Sequence, residues 1–433
     1  MPAFKKVLII TYYWPPAGGP GVQRWLKFAK YLPDSHVEPL ILTVDEEKAS
    51  YPIRDTSLSL EVPPNIKVFR TPTRELYSLY LRITGRTQVP FSGFVQESKP
   101  NLREKVIRFI RTNLFIPDPR KAWNKYAYRK ACAIIQQENI HNVITTGPPH
   151  STHLIGHRLK KKFPSIFWIV DFRDPWTRIF FFDELGHSIL SRNIHKYQEK
   201  KVIQNSDKVI VIGYNMKQYF INDYPQIPEN KILIVPNGFD QADFDIEFPV
   251  ADKDFVITYT GTLASNYPVD SVINSIKTLN KERHISVKLR IIGAINKDIR
   301  SSIMTELGDE LAEFIPAISH KEVIRYLFRS ALCLLIIPDA PGNECIVTGK
   351  LFEYLASGKP IIGLGPKQGD AARILSETES GKMFDYTEYK NITDFILQMY
   401  DNFRDDISLY NKDLITSYKR SSLTKLLASN LLS

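Results

Sequence analysis

Residues 348–362 read TGKLFEYLASGKPII, and this stretch decides the fold of the second half of the chain. Thr348 is a favourable N-cap, a short apolar helix follows, Gly358 stops it, and a β-branched strand comes next. The first amides of such a helix lack intrahelical partners and carry the positive end of the helix dipole. We therefore predict an anion site at this helix start, where Gly349 lets a phosphate approach the backbone and Lys350 adds charge.

Glu353 lies about one turn after Gly349, so both residues face the same side of the predicted helix. A carboxylate in that place reaches the hydroxyls of a ribose beside the bound phosphates. The helix start is thus predicted to hold a nucleotide. The alternative is that Glu353 is a solvated helix carboxylate and Lys350 a surface lysine.

Short β-branched runs alternate with helical patterns around this motif, which predicts mainly parallel sheets covered by helices on both faces. The alternation restarts after residue 238, so we predict an α/β protein of two Rossmann-like doubly wound domains, 1–240 and 241–405, that face a ligand cleft. The runs are 7–10, 39–44, 66–70, 143–146, 167–170, 209–212 and 232–235 in the first half, and 255–260, 287–292, 332–337, 360–364 and 383–384 in the second.

The charged stretch 240–254 contains proline and suits a linker between the two domains. Asp252-Lys253-Asp254 within it forms a DxD string just before a strand. We expect this string to be solvated and assign it no metal.

A glycine loop joins the first strand to a helix, because residues 14–21 read WPPAGGPG and a helical pattern follows. The spacing is not the GxGxxG fingerprint, since no third glycine stands at the helix-packing position, and NAD binding is weakly supported. Gly18 and Gly19 are candidate contacts to the phosphate of a sugar nucleotide. A simple tight turn is the alternative.

Two histidines follow the strand that ends near Thr146, in the sequence GPPHSTH at 147–153. His150 and His153 lie at the carboxyl end of that strand, where ligands of parallel sheets bind, so we consider them for acceptor binding or proton transfer. Ordinary packing is the alternative. A metal is not expected, because the stretch has no carboxylate and no HExxH glutamate.

Charged groups also follow the next strand, in the sequence DFRDPW at 171–176. Asp171, Arg173 and Asp174 either orient acceptor hydroxyls, with one aspartate as the base, or form an Arg173 salt bridge that fixes the loop. Trp176 either offers a platform for a sugar ring or covers the core.

The formal net charge of +10 favours anionic partners, such as nucleotide phosphates, nucleic acid or an acidic membrane surface. No RNA-binding signature is present, so no nucleic acid partner is expected. The three cysteines lack disulfide or metal spacing, which favours the cytoplasm. No apolar run approaches the roughly 20 residues of a membrane span, so any membrane contact is expected to be peripheral, on the inner face.

The alternation of strands and helices lapses between residues 71 and 123, which predicts a basic insertion in the first domain. An amphipathic helix within it either packs its apolar stripe on the domain or docks the segment 101–130 on an anionic bilayer. The stripe consists of Leu102, Val106, Phe109, Ile110 and Leu114, and the basic residues are Arg103, Lys105, Arg108 and Arg111.

The sequence from Lys350 to Tyr354, with Ala356, Gly358, Lys359 and Pro360 after it, resembles the donor signature of group 1 glycosyltransferases with the GT-B fold. The resemblance continues through the first glycine loop and the segments 235–238, 259–263 and 314–317. It implies that Glu353 binds the donor ribose and that the segment 406–433 packs back on the first domain. It also implies retention of anomeric configuration and further donor contacts at Gly261, Thr262, Ile315 and Pro316.

The chain departs from the family pattern at two places. Thr262 and Tyr267 stand where the family often has an arginine and a lysine that grip the diphosphate, and Lys350 is the candidate substitute. Cys345 stands where the first of two paired glutamates is expected.

These features predict a glycosyltransferase, hexosyltransferase-like and independent of metal and cofactor, that moves a sugar from a nucleotide-sugar donor. The expected acceptor is a glycan or lipid-linked molecule in cell-surface polysaccharide synthesis. Two alternatives remain at this point. One is a nucleotide-sugar epimerase of the same fold, and the other is a non-catalytic protein that binds sugar nucleotides or nucleic acid.

Overall fold

The computed structural model describes residues 4–74, 109, 112–179, 181–246, 252–405 and 411–432. The chain divides into two compact units, Met1–Pro236 with Leu423–Ser433, and Asn237–Ser422. Most of the predicted insertion, including its basic residues and the apolar Leu102, Val106 and Ile110, lies outside the described residues. Phe109 and Leu114 are described, and their exposed fractions are 54% and 74%.

The first unit is built on a parallel sheet. Its strands are β1 (Lys5–Ile10), β2 (Val37–Val44), β3 (Lys67–Thr71), β4 (Asn142–Gly147), β5 (Phe167–Phe172), β6 (Lys208–Val211) and β7 (Ile232–Ile234). Within the described residues the order across the sheet is β3-β2-β1-β4-β5-β6-β7, and every pairing is parallel. The central strand β1 is fully buried from Val7 to Ile10, because apolar strands of this kind are covered on both faces.

Helices cover this sheet. They are α1 (Pro20–Tyr31), α2 (Ser57–Leu60), α3 (Asn124–Gln137), α4 (Ser151–Lys162), α5 (Ile189–Asn205) and α6 (Tyr214–Asp223). The chain moves in one direction along the sheet from β4 to β5 and β6, so right-handed crossovers place α4 and α5 on the same face. Helix α4 packs between α3 and α5.

The second unit repeats this architecture. Its strands are β8 (Phe255–Thr260), β9 (Val287–Ile292), β10 (Ala312–Ile315), β11 (Leu332–Ile336), β12 (Ile361–Leu364) and β13 (Gly381–Phe384). They form a parallel sheet in the order β10-β9-β8-β11-β12-β13. Its helices are α7 (Asp270–Glu282), α8 (Lys297–Leu311), α9 (His320–Arg329), α10 (Gly349–Ser357), α11 (Asp370–Glu377) and α12 (Tyr389–Arg404). The last helix, α13, spans Arg420–Leu432, and its residues from Leu423 onward belong to the first unit.

The two sheets confirm the predicted pair of doubly wound α/β domains. Each sheet winds outward in both directions from a central strand, β1 in the first unit and β8 in the second, which places the carboxyl ends of its strands along one edge. Within the described residues, no helix is both long and apolar enough to span a bilayer.

The expectation that the DxD string is solvated is wrong for Asp252. Its carboxylate accepts hydrogen bonds from Arg290 Nη1 at 2.8 Å and from Arg329 Nη2 at 2.6 Å. Only 12% of the Asp252 side chain is exposed. Two guanidiniums compensate the buried charge, so this aspartate fastens α9 to the sheet of the second unit.

Candidate functional site

Helix α10 begins as the sequence predicts, with Thr348 in extended conformation at the N-cap and Gly358 in left-handed conformation at the C-terminal end. Among the described residues, the Thr348 side chain makes no capping hydrogen bond, and its buried Oγ1 has no partner. A Cβ added to Gly349 would meet no atom within 4 Å. The start of α10 therefore has room for a ligand directly against its backbone.

Lys350 is half-buried and lies against two tyrosines. Its Nζ donates to Tyr259 Oη at 2.9 Å and lies 4.7 Å from the Tyr259 ring centre and 5.8 Å from that of Tyr267. Burial lowers the pKa of Lys350 to about 8. No carboxylate of the described residues lies within ion-pair distance of this ammonium, which leaves it available for an anion.

The position of Lys350 requires a residue without a side chain at position 261, which is Gly261. It has a φ of +96°, and an added Cβ would lie 2.6 Å from Lys350 Cε. The next residue, Thr262, accepts a hydrogen bond from Tyr259 Oη through its carbonyl. The loop after β8 thus supports the lysine through Tyr259 and presents no cation of its own.

Glu353 lies on the first turns of α10 and pairs with His320, the first residue of α9. His320 Nε2 lies 3.1 Å from Glu353 Oε1, and 26% of the Glu353 side chain is exposed. The second carboxylate oxygen has no partner among the described residues. Glu353 is therefore held in place by one oxygen and can accept a hydroxyl with the other.

The sequence gives no sign of His320 as a partner, because it lies 33 residues before Glu353. Ile315 ends β10 and Pro316 follows it, so the loop that leads to His320 runs along the carboxyl edge of the sheet. Helices α9 and α10 pack together, which brings the histidine to the carboxylate.

A cavity of about 540 Å³ lies elsewhere in the second unit. Gly358, Pro360, Ser380 and Gly381 line it, so it opens at the amino ends of β12 and β13. Parallel sheets bind ligands at the carboxyl ends of their strands, and for this reason we place the candidate nucleotide site at α10.

In the first unit, His153 is fully buried beneath the end of β4. Its Nδ1 lies 3.1 Å from Thr145 Oγ1, which already accepts a hydrogen bond from Trp168 Nε1. Nδ1 and Oγ1 share one hydrogen bond, in which either atom can be the donor, and the second ring nitrogen of His153 is Nε2. This Nε2 has no partner within the described ranges and would lie 2.5 Å from a Cβ added to Gly147.

His150 precedes α4 and stacks on Trp176, with the ring planes 3° apart and the centroids separated by 5.0 Å. Trp176 is buried and donates through Nε1 to His195 Nδ1, so it covers the core and holds the His150 ring. Burial, with the charges of His153 and Arg173, lowers the pKa of His150 well below its usual range. His150 is therefore neutral at physiological pH, and its Nδ1 has no hydrogen-bond partner in the part of the chain that the structure describes.

Asp171 is fully buried and holds the first unit together. It accepts from Arg24 Nη2 at 2.8 Å, Trp25 Nε1 at 2.7 Å and Thr146 Oγ1 at 2.8 Å. Burial raises the pKa of this carboxyl, but Arg24 and the other donors outweigh burial and lower it below its ordinary value. Arg24 also donates to the carbonyl of Pro236, so the pair is satisfied on both sides.

The salt bridge that was one alternative for Arg173 does not form among the described residues. Asp171 pairs with Arg24, while Arg173 donates to the carbonyl of Gly147 at 3.2 Å and to that of Pro148. The guanidinium also lies over the start of α1, where a Cβ on Gly21 would clash with it. Arg173 thus fastens the loop through carbonyl groups. It forms no direct ion pair in the described part of the chain, so no carboxylate neutralises its charge.

Asp174 differs from Asp171 because it has no hydrogen-bond partner among the described residues. Burial raises its pKa, and Arg173 partly opposes that effect. A carboxylate of raised pKa without a structural partner suits proton transfer better than the fully satisfied Asp171.

The two loop glycines differ in their surroundings. The Gly18 amide donates to Ile53 O at 3.0 Å, and a Cβ there would lie 2.8 Å from the Ile53 side chain. Gly19 has a φ of +101° and precedes α1, and a Cβ there would meet no atom within 4 Å. Gly18 is therefore used for packing, and Gly19 leaves open space at the start of α1.

We expect the first unit to lose stability in mild acid because of His153. Burial lowers its pKa to about 3 in the folded protein, against 6.5 in the unfolded chain. Above pH 6.5 neither state binds the proton, and below it only the unfolded chain does. The unfolding free energy should therefore fall by about 1.4 kcal/mol per pH unit, or about 2 kcal/mol at pH 5.

Urea unfolding followed by tryptophan fluorescence tests this expectation, since all five tryptophans lie in the first unit. His153→Asn should remove the corresponding part of the pH dependence, and His141→Asn, at an exposed position, should retain it. Equal pH slopes in His153→Asn and the unchanged protein would contradict the assignment.

No family model matches the sequence, and no curated protein matches it. Solved structures match nearly the whole chain. Sucrose-phosphate synthase from Thermosynechococcus elongatus has a TM-score of 0.63 at 11% identity, covering 99% of this chain and 98% of that one. HepE from Anabaena in complex with UDP-glucose has a TM-score of 0.59 at 11% identity, with 99% of both chains covered.

The lipopolysaccharide outer core galactosyltransferase WaaB has a TM-score of 0.58 at 13% identity, again with 99% of both chains covered. These neighbours have the GT-B fold, and the chain shares it, as the resemblance predicts. At such identities the similarity is one of fold.

Proposed function

We propose that this protein is a glycosyltransferase that takes a sugar from a nucleotide-sugar donor bound at the start of α10. The observation that carries the proposal is the open, uncapped helix start at Gly349, with Lys350 beside it and Glu353 one turn later. Amides and ammonium suit a diphosphate, and the free oxygen of the carboxylate suits a ribose. HepE binds UDP-glucose in a structure of the same fold, so UDP-sugars are the first donors to test.

In the proposed reaction the bond between the sugar C1 and the diphosphate oxygen breaks, and C1 bonds to an acceptor hydroxyl that loses its proton. The amides at Gly349 and the Lys350 ammonium stabilise the charge that develops on the departing diphosphate. Metal is not required in this scheme, because helix amides and ammonium supply the positive charge. Retention of configuration is proposed on the family resemblance alone.

We assign acceptor binding to the first unit. The groups proposed to receive the hydroxyl proton are His150, which is held flat on Trp176, and Asp174, which has no hydrogen-bond partner among the described residues. Arg173 is proposed to bind an anionic part of the acceptor or donor near Gly19. His153 and Asp171 are proposed to position these groups, since both are fully buried.

The proposed acceptor is a glycan or lipid-linked molecule used in cell-surface polysaccharide synthesis, at the cytoplasmic face of a membrane. A non-catalytic sugar-nucleotide binding protein is the second candidate. The observation that favours it is Tyr267 beside Lys350, where the family pattern has a second cation.

A donor screen tests the proposal. UDP, GDP and their hexose conjugates are titrated by calorimetry, and release of the nucleoside diphosphate is then followed with and without acceptor glycans. Acceptor-dependent release supports transfer, whereas an isomerised donor without acceptor supports an epimerase. Tight binding without turnover in either assay supports the non-catalytic candidate.

Donor affinity should depend on pH through Lys350. The ammonium is charged below its pKa of about 8 and neutral above it. If a bound diphosphate returns that pKa to its ordinary value of 10.5, affinity should fall about tenfold from pH 7 to pH 9. The terminal phosphate has a second pKa of about 6, so it is already mostly ionised at pH 7 and gains little charge towards pH 9.

Calorimetric titration of UDP at both pH values measures this effect. Lys350→Gln should bind more weakly at pH 7 and show a flat profile. The lysine has no role in anion binding if the variant and the unchanged protein show parallel pH profiles.

A further inference from the structure

Helices α3, α4 and α5 form a layer of the first unit in which basic residues greatly outnumber acidic ones. Together they contain eleven lysines and arginines and one acidic residue, Glu199. This excess equals the formal net charge of the whole chain, +10. Glu199 is 2% exposed, so it contributes nothing to the outer surface.

Most of these basic side chains are exposed and unpaired. Within the described residues only Lys160 and Arg192 of the layer form ion pairs, with Asp207 and Asp183. The exposed members include Lys125, Arg129, Arg158, Lys161, Lys196 and Lys200. The pKa of His157 on α4 is lowered by burial and then by the charges of Lys161 and Lys201, which shows that α4 and α5 contribute to one positive surface.

An apolar tip borders this surface at the start of α5. Ile189 and Leu190 are 80% and 71% exposed. The side chain of Asn113 donates to Gly186 O and accepts from the amide of Ser188, which brings the neighbouring Leu114 to the same place. The exposed Lys196 lies about two helical turns after Ile189 on α5. Exposed branched side chains near lysines are typical of surfaces that enter the headgroup region of a bilayer.

We propose that the outer face of α3, α4 and α5 docks on a bilayer of anionic lipids, with Ile189 and Leu190 inserted among the headgroups. Lysine and arginine at such a surface attract acidic headgroups, and their aliphatic stems lie along the interface. The proposal rests on the proposed function in one respect, namely that docking on a bilayer would bring the protein to a lipid-linked acceptor.

The apolar tip favours a bilayer over nucleic acid. Nucleic acid surfaces pair cations with phosphates and stack bases on aromatic rings, and inserted isoleucine and leucine contribute to neither on a single strand or an undistorted duplex. In a bilayer, by contrast, the same side chains leave water. An anionic bilayer is therefore the one partner that suits both the basic surface and the apolar tip.

Co-sedimentation of the full chain with vesicles tests the proposal. Vesicles of phosphatidylcholine alone are compared with vesicles containing roughly a third phosphatidylglycerol, at low and physiological salt. We expect binding to the anionic vesicles that weakens with salt. Lys196→Glu with Lys200→Glu should weaken it by at least about twentyfold, since each lysine at a charged bilayer contributes about fivefold. Ile189→Ser with Leu190→Ser should abolish the vesicle binding that remains at physiological salt.

The matched control is Lys281→Glu with Lys390→Glu, which reverses two exposed charges on α7 and α12 of the second unit and should bind as the unchanged protein does. Far-UV dichroism and UDP titration establish that each variant is folded and that the nucleotide site is intact, so a failure of docking is distinguishable from a failure of the proposed activity. Absence of binding to anionic vesicles overturns the proposal. Equal loss in both lysine pairs also overturns it, as does tighter binding of an oligonucleotide that shows the same pattern of loss.

Discussion

Glu353→Ala should weaken binding of a nucleoside diphosphate about 10-fold to 100-fold, because hydrogen bonds from ligand hydroxyls to a carboxylate contribute about 1.5–3 kcal/mol. Glu353 lies on α10 one turn after the open backbone at Gly349, and one of its oxygens is free. The variant should fold normally, since the carboxylate is partly exposed and its partner His320 is 41% exposed. Calorimetric titration with the nucleotide that the donor screen identifies measures the loss.

A comparison of UDP with 2′-deoxy-UDP tests whether the lost interaction is the one with ribose. The unchanged protein should prefer UDP, and Glu353→Ala should bind the two nucleotides almost equally, because removal of either partner breaks the same hydrogen bond. Glu310→Gln on the exposed face of α8 serves as the matched control and should keep the preference. If Glu353→Ala retains the full preference for UDP, the carboxylate is a solvated helix residue and the nucleotide site lies elsewhere.

The elements around this site could be predicted because their signals are local. Thr348, Gly358 and the strand after it act within a few residues of one another, and the helix and strand form as predicted. The same holds for the two parallel sheets, whose β-branched runs and intervening helices fix the winding through short right-handed connections.

The partners of the site residues could not be predicted, because they come from distant parts of the chain. Arg24 reaches Asp171 across 147 residues, and His320 reaches Glu353 across 33. Arg24 stands in an amphipathic helix where a basic residue usually faces solvent, but here it is fully buried and donates to Asp171 and to the carbonyls of Val235 and Pro236. Tyr259 on β8 likewise positions Lys350, and no local sequence pattern connects this tyrosine with α10.

Asp171→Ala should destabilise the first unit by about 3–5 kcal/mol, because it leaves the guanidinium of Arg24 buried without its countercharge. Both side chains of this pair are completely buried. Urea unfolding followed by tryptophan fluorescence measures the change in the first unit selectively, since every tryptophan lies there. Asp174→Asn, at the neighbouring aspartate without a partner, should change stability by less than about 1 kcal/mol and should lower turnover instead.

A double-mutant cycle separates the two roles that the sequence leaves open for Asp171. Arg24→Met and Asp171→Leu should each be costly, while the double variant should lose much less than their sum, because it contains no uncompensated buried charge. A general base would behave differently. Asp171→Asn would then unfold at the same urea concentration as the unchanged protein and lose turnover alone. That outcome would make Asp171 the general base and Asp174 a structural residue of the loop. The reaction releases one proton, so a single base at this strand end is sufficient.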